Sequence, residues 1–226
     1  MELNLTLCIR VIVLAAVGAI CSFASKVWVK NLFEKRHLQY SLSKRNNLIL
    51  TLAMAFAGGA IGFFTEGFVY PILALLLLVV SGTIAVSDYS HMIIPNQTVL
   101  AVFGIKFLLV FSKGLGAENL PQINIVDSLL GLAACFVVFC LPSLMGNKVG
   151  AGDVKLAAAM GFLLGTINSL YGIVLMGLLI LAYGFVQKKM PVQMFLRTNV
   201  PMGPFIAIGM MAAFTVPNII PRIFAG

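Results

Sequence analysis

The sequence predicts an all-α, polytopic integral membrane protein, and three observations carry that prediction. Hydrophobic residues make up 61% of the 226 and charged residues only 10%. Apolar stretches of membrane-spanning length recur along the whole chain, about 20 residues being needed to cross roughly 30 Å of hydrocarbon as a helix. Most of the positive charge is gathered in a few short loops between those stretches. A soluble core could not absorb so much apolar surface, and runs of this kind predict helices rather than a barrel of alternating strands.

Polar residues and Pro/Gly punctuation cut the chain into about eight transmembrane helices. The first, 5–29, exceeds the 7–15 apolar residues of a signal peptide, and Ile20 stands before Cys21 where a lipoprotein signal needs a small residue, so it reads as a retained span. Spans at 48–65, 69–87, 97–112 and 125–145 follow. The piece 153–166 is short, and with 167–187 it could form one long broken helix. That merger would carry loop 188–202 with its three basic residues to the outside, so the two are read as separate. The last span is 203–221. The whole chain, 1–226, reads as a single membrane-embedded domain without internal repeats or a soluble module.

Orientation follows from where Lys and Arg are retained. Loop 30–47 holds Lys30, Lys35, Arg36, Lys44 and Arg45, loop 146–152 holds Lys148, and loop 188–202 holds Lys188, Lys189 and Arg197. These loops are expected in the cytoplasm; the opposite ones carry only Lys113, and both termini fall outside. The net charge of +8 is thus a topology signal in a cytoplasmic (inner) membrane, with the bilayer as partner and no nucleic acid. Cys8, Cys21, Cys135 and Cys140 lie in apolar segments and form no CxxC, so no metal site, disulfide framework or cofactor is expected.

Seven acids remain: Glu2, Glu34, Glu66, Asp88, Glu118, Asp127 and Asp153. Glu2, Glu66 and Glu118 fall in outer segments, Asp127 near the outer end of its span, and Glu34 in the basic loop. Asp88 closes the third span and Asp153 opens the sixth, both at the cytoplasmic mouth. Acids at such depth are expensive and signal function by default, although span ends also hold ordinary snorkelling charges. Asp153 follows Gly150 and Gly152 in "GNKVGAGD", where the missing Cβ atoms permit positive φ and close approach of another chain. The plainer reading of Asp153 is a helix N-cap. Pro95 and Asn96 follow Asp88 and signal the start of the next helix.

Two carboxylates at matched depth suit water activation for peptide hydrolysis. Like charges a few ångströms apart cannot both ionise cheaply, so such a pair shares a proton, one acting as base on water while the other donates to the scissile carbonyl. A cation-coupled transporter could also use two acids, but those usually sit near the midplane on broken helices.

Three blocks then resemble the type IV prepilin peptidases, bacterial members of the GxGD family of membrane aspartic proteases. "DYSHMIIPN", residues 88–96, is similar to the family's first aspartate block, "GAGDVKLAAAMG", residues 150–161, to its second, and "VPMGPFIAIG", residues 200–209, to the Pro-x-Gly-Pro segment opening the last span. They come in the family's order, and the resemblance covers about residues 48–220. It implies that Asp88 and Asp153 are catalytic, that Gly150 and Gly152 are the motif glycines with Lys155 beside them, and that Pro95, Asn96, Pro201, Gly203 and Pro204 shape the site. His91 falls in the first block but, as a single imidazole near a membrane surface, reads first as structural; Lys155 reads first as a snorkelling lysine.

One departure stands out. Many members carry a cytoplasmic segment with paired CxxC motifs, associated with metal binding and with methylation of the new pilin N-terminus; residues 30–47, "KNLFEKRHLQYSLSKRNN", are too short for it and lack cysteine. A short form is expected, with peptidase blocks intact and N-methyltransferase activity absent. The reading is therefore an aspartic endopeptidase that removes the leader of type IV prepilins or pseudopilins at the cytoplasmic face, with a loop at Gly150–Gly152 flexible enough to admit an extended substrate strand. Its alternatives are a small cation or solute transporter using the two aspartates and an inactive structural subunit of a pilus or secretion machine. The sequence assigns no oligomeric state.

Overall fold

The computed structural model describes residues 5–40, 42–116, 124–144, 150–186 and 201–216. These form eight helices: α1 (Leu5–Glu34), α2 (Lys44–Phe64), α3 (Val69–His91), α4 (Asn96–Gly114), α5 (Ile125–Leu144), α6 (Ala151–Leu164), α7 (Thr166–Val186) and α8 (Gly203–Thr215). No strand occurs among the described residues. Six of the eight, α1 to α5 and α7, are long and apolar enough to cross a membrane. The other two, α6 with 14 residues and α8 with 13, are about 20 Å long at 1.5 Å per residue. The chain is thus a multi-pass helical membrane protein, with the short sixth helix separate from the seventh as expected. The break between them is Gly165, whose φ of 79° lies in the left-handed region that ends a helix cheaply only at glycine.

The α1–α2 loop is tighter than the 30–47 read from the sequence, because α1 runs on to Glu34 and α2 starts at Lys44. The other two basic loops, apart from residues 150–152 and 201–202, lie outside the described residues.

Burial divides the helices into a core and a shell. Two thirds (67%) of the apolar window of α3 is buried, against 17 to 28% in the other five long helices. Residues Leu156 to Gly161 of α6 and most of α8 are buried with it. Leu77, Ile84, Leu156, Met160, Ile206 and Met210 from these three helices are among the most completely enclosed side chains. Around them the long helices turn residues such as Phe56, Leu100 and Phe185 outward, as a lipid-facing surface requires.

Small residues let backbones meet where lipid gives no hydrophobic drive for helices to associate. Gly18 of α1 faces Gly58 of α2, Gly131 of α5 faces Gly161 of α6, and Gly172 of α7 faces Gly209 of α8; a Cβ on any of them but Gly172 would run into the partner's backbone, and one on Gly172 would crowd it at 3.2 Å. Each short core helix is therefore backed by a long one through a glycine crossing. Polar links add to this. Ser25 Oγ of α1 donates to the Val79 carbonyl of α3 (3.0 Å), and Ser22 shares a 3.1 Å hydrogen bond with Thr51 of α2. The Tyr70 hydroxyl at the start of α3 donates to the Phe214 carbonyl near the end of α8.

Candidate active site

The site assembles where α3 ends and α6 and α8 begin. α3 stops one turn after Asp88: Met92 takes a left-handed conformation (φ 53°, ψ 39°), unusual for a residue with a side chain, and its N–H donates to the Asp88 carbonyl at 2.8 Å. Three residues later Pro95, with φ fixed near −66°, stands as the N-cap of α4, and its carbonyl accepts both the Thr98 N–H (3.0 Å) and the Thr98 hydroxyl (2.7 Å). The chain therefore turns sharply beyond Asp88, and Asn96 begins α4 exposed.

Asp88 itself is 4% exposed. Its Oδ2 accepts the Gly203 N–H at 2.7 Å, a charge-assisted bond to one of the first-turn donors that a helix cannot satisfy internally. The next residue, Pro204, has no N–H to leave unsatisfied there. Any side chain at Gly203 would put a Cβ 2.7 Å from the Asp88 Cβ and 2.9 Å from its Oδ2. Pro201 sits half-buried just before this turn.

Asp153 occupies the first turn of α6, whose N-cap is Gly150. It is not the N-cap that its local sequence also allowed. Its N–H donates to the Gly150 carbonyl (3.0 Å) while the Gly150 N–H donates back to its carboxylate, a reciprocal cap. The other carboxylate oxygen, Oδ1, is buried without a donor among the described residues. The Asp153 carboxyl also feels the charge of Asp88, so α3 and α6 bring the two acids into one electrostatic neighbourhood.

The glycines act differently from their sequence expectation. Gly150 has a φ of −64°, not a positive one; a Cβ there would stand 2.8 Å from Asp153 Oδ2, so its smallness gives the carboxylate room. Gly152 lies within α6, and its missing Cβ lets the α3–α4 link approach, with Ile94 Cβ at 3.1 Å from where it would be. The flexible Gly150–Gly152 loop expected to admit a substrate strand is instead a helix start packed against Ile94. Lys155 is exposed and reaches Asn96 Oδ1 at 3.5 Å, a weak tie between the same two elements.

His91 stands apart from the acids. Its Nε2 lies 3.0 Å from the Gln39 carbonyl, and its ring meets Phe33 edge-on at 4.8 Å. With Asn46 Nδ2 donating to the Tyr89 hydroxyl (3.2 Å), it fastens the α1–α2 loop onto the end of α3.

Asp127 meets Thr166 and Gly131 meets Gly161, so α5 and α6 run antiparallel in a register that sets residue 153 opposite residue 139. α5 continues five residues further to Leu144, about 7 Å along its axis. The end of α7 lies beside the start of α8, with Tyr183 against Phe205 and ring centroids 5.6 Å apart. Among the described residues no three His, Cys, Asp or Glu side chains gather as a metal would require.

The profile of the type IV leader peptidase family matches residues 72–185, half of the chain, spanning both aspartates. The chain belongs to the type IV leader peptidase family. It is also 30% identical over 168 residues to the prepilin leader peptidase/N-methyltransferase of Bacillus subtilis (strain 168), a match covering 73% of this chain and 63% of that protein. The chain thus spans less than two thirds of that relative's length. No solved structure matches it. Family membership bears out the resemblance read from the three blocks, and supports a peptidase.

Proposed function

We propose that this leader peptidase family member is an aspartic endopeptidase that cleaves type IV prepilins or pseudopilins where the cytoplasm meets the membrane, with Asp88 and Asp153 as its dyad. The observation that carries the reading is the pair itself: two acids from separate helices, each in a motif of the resemblance, share one electrostatic neighbourhood, and Asp153 Oδ1 has no donor among the described residues. One carboxylate takes a proton from water and the other gives one to the scissile carbonyl. Asp88, bound to the Gly203 N–H, is held in one orientation, and Asp153 keeps an oxygen available. A pair of acids at the mouth of apolar helices, with the end of α5 extending beyond the start of α6, suits a substrate whose apolar helix stays in the bilayer while its leader remains in the cytoplasm. Loop 35–43 in place of a cysteine-rich module supports hydrolysis without methylation.

The test is cleavage by the protein in lipid vesicles of a prepilin-like peptide with glycine before the cut. An attacked carbonyl must be presented on an extended chain, since an intact helix occupies its carbonyls. Release of the leader is expected from the glycine substrate, and none from a Gly→Val version. No cleavage of the glycine substrate, or cation flux through the vesicles that depends on Asp88, would replace the peptidase reading with a transporter.

A further inference from the structure

The far end of α6 holds a second pair of charges that the proposed chemistry does not use. Lys106 lies within the apolar sequence of α4 and is only 6% exposed. A lysine in such a position is expensive and requires a partner. Its Nζ donates to the Leu163 carbonyl at 3.0 Å, one of the last carbonyls of α6, which have no acceptor role inside the helix. A cation there also complements the negative end of the helix dipole. Asp127, in the first turn of α5, is the charge that Lys106 senses. Its Oδ1 accepts the Thr166 N–H (3.2 Å) and its backbone carbonyl accepts the Thr166 hydroxyl (3.2 Å), while Gly165 between them has no room for a Cβ against the Asp127 carboxylate. One residue from α4 and one from α5 therefore grip the corner where α6 turns into α7.

That grip matters because of how α6 meets its neighbours. Its crossing with α5 is backbone on backbone at Gly131 and Gly161, and its contact with the α3–α4 link is made at Gly152. Those two seams lack α6 side chains and interlock poorly along the axis. The middle of α6 is held instead by buried Leu156 and Met160 and by Phe162 against Phe103 (ring centroids 5.2 Å), and its far end by the charged grip. α6 is a rigid rod about 20 Å long with Asp153 in its first turn and the Lys106–Asp127 grip at its last.

We infer that Lys106 and Asp127 are positioning residues, a charge clamp at the far end of α6 that fixes this helix along its axis and so sets Asp153 against Asp88. The catalytic consequence rests on the peptidase reading; the mechanical one does not. Two readouts separate them. The first is cleavage kinetics of Lys106→Met, Lys106→Gln and Lys106→Arg. The Met and Gln variants are expected in the membrane with kcat about tenfold or more lower and KM within about twofold, because a misplacement near 1 Å suffices for such losses. Arg, which keeps charge and donor, should recover most of the rate. The second readout needs no activity: Asp153→Cys, with Cys8, Cys21, Cys135 and Cys140 replaced by alanine, is alkylated by a water-soluble thiol reagent. Adding Lys106→Met should change that rate about threefold or more as the α6 register loosens.

Unchanged kcat in the Met and Gln variants, a loss confined to KM, or an unchanged alkylation rate would each overturn the clamp. So would failure of both variants to reach the membrane, which would make Lys106 a folding residue. If the unsubstituted protein cleaves no prepilin-like peptide, the peptidase reading falls and the alkylation rates alone decide the clamp.

Discussion

Gly203 shows how much a single missing carbon can decide. Its N–H holds Asp88, and its α-carbon carries hydrogen where any Cβ would meet the Asp88 side chain at 2.7 Å. The colliding atoms are backbone-proximal, so they cannot swing aside as the tip of a long side chain would. Gly203→Ala should therefore displace Asp88 or α8, cutting cleavage by about a hundredfold with the protein still in the membrane. His91→Ala is the contrasting case: it removes a contact to Gln39 and Phe33, not to either acid, and should leave cleavage within about threefold of normal. Measured side by side, a near-normal Gly203→Ala or an inactive His91→Ala would show that the residues shaping the site have been misassigned. Asp88 and Asp153 were legible from their depth and spacing in an apolar chain. Gly203 was reached only through the resemblance, because a glycine that touches an acid 115 positions away leaves no local pattern. Lys106 left a visible sign, a lysine inside an apolar stretch, which the loop-by-loop tally of positive charge passed over.

Among elements, the proposed site draws on one long helix, α3, and two short ones, α6 and α8, which the other long helices hold. α6 and α8 are too brief to be stable alone, since isolated helices under about 12 to 15 residues are marginal even in favourable sequences. Their stability comes from burial beside α3 and from the glycine crossings to α5 and α7. The seam between α5 and α6 should be the less forgiving of bulk, because Gly131 and Gly161 each face the other's carbonyl and Cys135 Sγ lies 2.8 Å from where a Gly161 Cβ would be. Gly161→Val is expected to lower the thermal aggregation midpoint and the cleavage rate together, by overpacking of about 1–3 kcal/mol. Gly104→Val, at a glycine with open space around it, should do neither. Equal behaviour of the two would remove the crossing as a support of the site. Element positions were readable from apolar length, including the break before residue 167. The role of the motif glycines was not: sequence shows that a Cβ is absent, but whether this serves a positive φ or a close approach depends on neighbours from other segments.

Across the whole molecule, the ends of α1, α3 and α5 and the starts of α4, α6 and α8 lie toward one face, and the α1–α2 loop and the start of α2 fold onto the end of α3 through His91 and Tyr89 respectively. The basic residues of that loop and its flanks, Lys30, Lys35, Arg36, Lys44 and Arg45, support the proposed placement of this face in the cytoplasm under the positive-inside rule. A Ser43→Cys variant in the alanine-for-cysteine background should resist a membrane-impermeant thiol reagent in intact cells and react in inverted vesicles; reaction in intact cells would turn the proposed orientation over. The central claim is that two acids brought together from distant parts of the chain act as one catalytic unit. The most direct measurement compares leader cleavage by Asp88→Asn, Asp153→Asn and the double variant, each quantified in the membrane. Residues that act as a unit are non-additive, so each single change should lower the rate about a thousandfold or more and the double change should cost no more than either. A single variant that cleaves at close to the normal rate, or losses that multiply in the double variant, would contradict a shared site.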